Sequence, residues 1–80
     1  MDECIEHAED IFPKRLKMLR LKHGMSQFAL SNELEMSNAA VCLHEKGDKL
    51  PTVRSLIKYA CYFNVSVEYL LGLTDNYGGR

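Results

Sequence analysis

Gln27 to Glu45 reads Q-F-A-L-S-N-E-L-E-M-S-N-A-A-V-C-L-H-E, and its punctuation decides the fold. Ser26, just before it, suits the N-cap of a helix running through Leu34, with Leu30 and Leu34 at i, i+4 on one face. Ser37 suits the cap of a second helix reaching about Glu45, with Val41 as its inward anchor. Only Glu35, Met36 and Ser37 are left for the joint. So short a connection forces the two helices to cross steeply.

The flanks carry the same helical spacing. Pro13 suits the first turn of a helix and Gly24 the left-handed position after its end, with Leu16 and Leu19 on one face and Arg15, Lys17 and Lys22 turned away. Beyond Gly47, Thr52 caps a helix whose apolar set is Val53, Leu56, Ile57, Ala60 and Phe63, with Asn64 at its end. Ser66 caps a last short helix holding Val67, Leu70 and Leu71, stopped by Gly72. No segment alternates with period two for long, so the chain reads as an all-α domain of five short helices. At 80 residues it has room for one such domain and for no deep cleft between lobes. Three segments are expected: an acidic leader at 1–12, the helical domain at 13–73 and a frayed tail at 74–80.

The net charge of −1 is uninformative until it is divided. Residues 1–12 carry Asp2, Glu3, Glu6, Glu9 and Asp10 and no base, a charge of −5. Residues 13–73 carry nine Lys and Arg against five acids, a charge of +4. A basic body behind an acidic leader suggests an electrostatic partner, which the leader would repel or compete with. Three cysteines without tight spacing, no basic leader and no long apolar run point to a cytoplasmic protein. Cys4-x-x-His7 and Cys42-x-His44 fall on different elements and lack the convergence of a zinc site, so no metal and no cofactor is expected. No third orienting group accompanies any Cys/His combination, which argues against an enzyme.

Three runs together carry a family resemblance. They are R-L-K-M-L-R-L-K-H-G-M-S-Q from Arg15, S-N-A-A-V-C-L-H-E-K-G-D-K-L-P-T from Ser37, and F-N-V-S-V-E-Y-L-L-G-L-T from Phe63. The chain resembles the Cro/C1-type (XRE) helix-turn-helix family over roughly three-quarters of its length, which implies a five-helix, lambda-repressor-like DNA-binding domain. In that architecture the third helix lies in the major groove while the second braces across the phosphates. The resemblance implies that Gln27 anchors to a phosphate, that Ser26 and the first amides of its helix add donors, and that Arg20 pairs with Glu45. It places Lys46 and Lys49 on the DNA backbone, turns Asn38, Ala39, Cys42 and Leu43 toward the bases, and counts Ser37 among the DNA-binding residues. It also implies a homodimer on double-stranded DNA, joined through Tyr69, Leu70, Leu73 and Tyr77.

The chain departs from the family in three places. Of the base-facing residues only Asn38 has bidentate hydrogen-bonding geometry, with adenine as its partner, while Ala39 and Leu43 offer apolar contact to thymine methyls. Glu35 stands where most members have glycine in the turn, a strained substitution if that position has positive φ. Leu21 and Phe28 stand where polar residues are usual. They are ordinary surface, or are covered by a leader helix over residues 2–11, or meet a protein partner or a second subunit. Two functions therefore remain open: a DNA-binding transcriptional regulator acting as a repressor, and a protein-interaction or antitoxin-like module on the same fold with weak or no DNA reading.

Overall fold

A computed structural model describes residues 1–78. Its elements are α1 (Asp2–Lys22), α2 (Gln27–Glu33), α3 (Ala40–Lys46), α4 (Val53–Phe63) and α5 (Val67–Leu70). No strand occurs among the described residues. Phe12, Leu16, Leu19, Leu30, Val41, Tyr59, Phe63 and Leu70 form one core to which all five helices contribute.

The punctuation reads as expected at most ends. Ser26, Thr52 and Ser66 each accept a hydrogen bond from the amide three residues on, at 3.0, 3.1 and 3.0 Å, and so cap α2, α4 and α5. Gly24, Gly47 and Asn64 take the left-handed conformation after α1, α3 and α4. The hydrogen bonds Met25 N–H to Arg20 O (3.1 Å), Asp48 N–H to Leu43 O (3.1 Å) and Val65 N–H to Ala60 O (3.0 Å) close those ends in the Schellman manner.

Five expectations are corrected. Pro13 does not open a helix but lies inside α1, which runs unbroken from Asp2. Its ring removes one backbone donor and would ordinarily break a helix. Tertiary contacts on both sides of it hold this one. Phe12 is buried beside His44 and Tyr59, with ring centroids at 6.2 and 6.0 Å. Six residues before Pro13, the His7 ring donates from Nε2 to Gly72 O at 3.0 Å. A leader helix does form over residues 2–11, but as the first half of α1, and it leaves Leu21 57% and Phe28 59% exposed.

Ser37 does not cap α3, which starts later, after Ala39, with no side-chain cap of its own. The buried Ser31 of α2 supplies one across the turn, its Oγ accepting from Val41 N–H at 3.2 Å. Nor are residues 74–78 of the tail frayed. Arg15, expected to face solvent, donates from Nη1 to Tyr69 O and Thr74 O, both at 2.6 Å, and from Nη2 to Asp75 at 2.8 Å. Its guanidinium lies 4.2 Å from the Tyr69 ring centroid, and Tyr77 stacks on Tyr69 at 4.7 Å. The last two residues of the expected tail, 79 and 80, lie outside the described residues.

Candidate nucleic-acid interface

Hydrogen bonds tie the α2–α3 unit together at both ends. Glu35 takes φ 56 in the turn, so the glycine-like conformation is adopted by a residue with a side chain. Met36 N–H donates to Ser31 O at 2.8 Å, and Lys58 of α4 donates to Leu34 O at 2.8 Å. The end of α2 thus has its carbonyls satisfied from its own turn and from a neighbouring helix.

At the other end of α3, Glu45 holds three elements together. Arg20 of α1 donates Nε to Oε2 at 2.6 Å and Nη2 to Oε1 at 3.0 Å, while its Nη1 reaches Met25 O at 2.8 Å. Gln27, the first residue of α2, donates Nε2 to the same Oε1 at 3.0 Å. The hydrogen bond to Glu45 holds the Arg20 pKa above its ordinary value against the opposing effect of burial, so this guanidinium stays charged. A primary amide has two N–H donors. Gln27 gives one to Glu45 and carries a second.

Val41 and His44 face the core from α3. His44 Nδ1 lies 2.7 Å from the Tyr59 hydroxyl. Burial pushes the His44 pKa down, with the Lys49 charge adding to the effect, and pushes the Tyr59 hydroxyl up. The imidazole and phenol therefore stay neutral and hydrogen-bonded beneath the helix. At 100° per residue, the side of α3 opposite Val41 and His44 carries Ala39, Cys42, Leu43 and Lys46. Ala39 and Lys46 are exposed, and Cys42 and Leu43 half-buried. Ser37 and Asn38 are exposed in the turn leading into the helix, and Lys49 is exposed in the loop after it.

Arg20, Gln27 and Glu45 are thus brought together, and Asn38, Ala39, Cys42, Leu43 and Lys46 follow one side of α3 and its approach. The four residues expected to join subunits are divided. Leu70 is fully buried and Tyr69 nearly so within one chain, while Leu73 and Tyr77 remain exposed. His7 and His44 are engaged with Gly72 and Tyr59, and no three His, Cys, Asp or Glu side chains converge among the described residues. No helix among them is long and apolar enough to cross a membrane. Three ties escaped sequence reasoning: Ser31 to Val41, Lys58 to Leu34 and His44 to Tyr59. Each links residues at least ten positions apart, beyond the reach of helical periodicity.

Residues 16–70 match the family described as "Helix-turn-helix". The HTH-type transcriptional regulator ImmR of Bacillus subtilis (strain 168) is 36% identical over 59 residues, covering 74% of this chain and 46% of that protein. YobD of the same strain, described as an uncharacterized HTH-type transcriptional regulator, is 30% identical over 66 residues, covering 82% and 59%. The chain therefore spans about half the length of these relatives. No solved structure is significantly similar. The matched segment holds all of α2, α3 and α4 and the complete Arg20–Gln27–Glu45 network, and the chain belongs to the Cro/C1-type (XRE) helix-turn-helix family.

Proposed function

We propose that the chain is a sequence-specific DNA-binding transcriptional regulator that acts in the cytoplasm as a homodimeric repressor, with α3 in the major groove. The observation that carries this is the Glu45 node. It fixes the start of α2 to the end of α3, so a phosphate held at Gln27 sets the depth and angle of α3. Ser26 and Gln27 stand at the α2 end of the interface, and Lys46 and Lys49 at the far end of α3. Between them, Asn38 is the hydrogen-bonding reader, aimed at adenine, and Ala39 and Leu43 make apolar contact with thymine methyls, with Cys42 as a small spacer. One reader of this size spans few bases, so two copies would occupy half-sites about one helical turn, roughly 34 Å, apart.

A second reading keeps the fold and drops the DNA. Leu21 at 57% and Phe28 at 59% exposure, together with the uncharged Ala39, Cys42 and Leu43 of α3, would suit a protein partner of an antitoxin-like module. In vitro selection from random duplex DNA separates the two. An enriched motif supports the regulator. Failure to enrich any sequence, together with a stoichiometric protein partner held through Leu21 and Phe28, supports the interaction module.

A further inference from the structure

The first half of α1, the end of α3 and the loop that follows it enclose a cavity of about 260 Å³. Its α1 wall, from Ala8 to Pro13, lies outside residues 16–70, the segment that matches the family. Sites for drug-sized ligands run to about 300–1,000 Å³, so a guest here must be smaller. Phe12, Pro13, Leu50 and Leu71 give the cavity apolar surface, and His44, only 4% exposed, is its buried polar group. Nδ1 of that ring lies 2.7 Å from the hydroxyl of the fully buried Tyr59. Among the described residues this is the only hydrogen bond of either side chain. If the imidazole were the donor, the phenol hydrogen would be buried without an acceptor. The phenol therefore donates to Nδ1, and the neutral ring carries its proton on Nε2. No buried side-chain nitrogen or oxygen among the described residues lacks a partner. Nε2 makes no such bond, so it is open on the side of the cavity that the ring lines.

Charges of both signs stand around that donor. Glu9, Asp48 and Lys49 line the cavity and are exposed, so they form its rim. Burial and then the Lys49 charge lower the His44 pKa, so the ammonium is within electrostatic reach of the ring. An N–H donor and a cation suit a carboxylate, and two acids suit an ammonium. We propose that the cavity binds one apolar α-amino acid. His44 Nε2–H and Lys49 hold its carboxylate, Glu9 and Asp48 its ammonium, and Phe12, Pro13, Leu50 and Leu71 its side chain. An uncharged apolar molecule would leave the three rim charges unused, and a simple carboxylic acid would meet the two acids unpaired. Binding itself needs no DNA. Its consequence rests on the proposed function: Lys49 is assigned there to a phosphate, so guest and DNA claim the same ammonium. A filled cavity then lowers DNA affinity.

Titration of the full chain with L-leucine, L-isoleucine, L-methionine and L-phenylalanine, without DNA and followed by amide NMR shifts, tests the site. At least one of them should bind and shift the amides of Gly47, Asp48 and Lys49. The N-acetyl derivative and the primary amide of that amino acid each lack one of its two charges, and each should bind about tenfold more weakly. Lys49→Gln and the double variant Glu9→Gln/Asp48→Asn change exposed residues only, so helical circular dichroism should match wild type while affinity falls by a similar factor. No shift with any of the four up to about 10 mM, or an affinity unmoved by the blocked derivatives and the variants, would overturn the site. Fluorescence anisotropy on the selected duplex tests the consequence separately. The bound amino acid should raise the Kd for DNA severalfold, and an unchanged Kd overturns the competition at Lys49. If the protein binds the amino acid as described and binds no DNA, the site stands and the regulator reading falls.

Discussion

Arg20 and Glu45 form a two-pronged ion pair, at 2.6 and 3.0 Å, between side chains only 9% and 4% exposed. Enclosure on this scale separates it from surface pairs, whose contribution is about 0–1 kcal/mol. Removing one partner strands the other charge away from water. Arg20→Met and Glu45→Gln should each lower unfolding free energy by about 3–5 kcal/mol, enough to unfold much of so small a domain. Replacing both residues with apolar ones should cost less than the two single losses combined. Urea denaturation followed by helical circular dichroism measures all three. Single-variant losses below about 1 kcal/mol would mean that the pair behaves as a rim contact.

Glu35 sits at φ 56, in a region that disfavours side chains. Glu35→Gly should therefore raise stability by roughly 0.5–1 kcal/mol, relief of strain outweighing the added freedom of the unfolded chain. Glu35→Ala keeps the strain and should give no such gain. Thermal melting of the two variants side by side distinguishes them.

Gly72 and Gly24 both have positive φ, but their surroundings differ. A Cβ at Gly72 would lie 2.7 Å from Ile11 Cγ2 and 2.9 Å from its Cβ, whereas one at Gly24 would meet nothing within 4 Å. Gly24→Ala should cost the conformational penalty alone, about 1–2 kcal/mol. Gly72→Ala should cost more, because it also drives the first half of α1 off the end of α5. Deleting residues 1–11 removes the His7 bond and the Ile11 contact and should likewise destabilise the domain. Equal denaturation midpoints for the two alanine variants would count against a tightly docked α1.

His44 links stability to pH. Its folded-state pKa lies below the ordinary value of 6.5, so the unfolded chain takes up a proton at a higher pH than the folded one. The contribution of neutral His44 is complete above about pH 6.5 and is lost as pH falls from there toward the folded-state pKa. Urea midpoints should fall between pH 7.5 and pH 5.5 in wild type, and less so in His44→Gln. An equal fall in both proteins would place the proton uptake elsewhere.

Much of this architecture was legible because it is local. Ser26, Thr52 and Ser66 cap their helices, and Gly24, Gly47 and Asn64 end theirs, through contacts within a few residues that spacing can reveal. Pro13 misled because its missing N–H argues for a helix start, while Phe12 and His7, anchored by distant residues, carry the helix through it. Arg15 looks like a solvated cation in helical register, yet it ties down residues 54, 59 and 60 positions further on. Arg20, Gln27 and Glu45 could be placed from family resemblance alone. Their meeting at one carboxylate required coordinates.

In the proposed complex α3, Lys46 and Lys49 face DNA. Fluorescence anisotropy on the selected duplex, with salt raised from about 50 to 200 mM, tests it in wild type, Lys46→Ala, Lys49→Ala and Asn38→Ala. Wild-type affinity should fall steeply, each lysine variant should weaken binding to all sequences and reduce the log–log slope by about one, and Asn38→Ala should lose discrimination at one base pair. Affinity that stays flat with salt, or slopes and base preference identical in all four proteins, would contradict it.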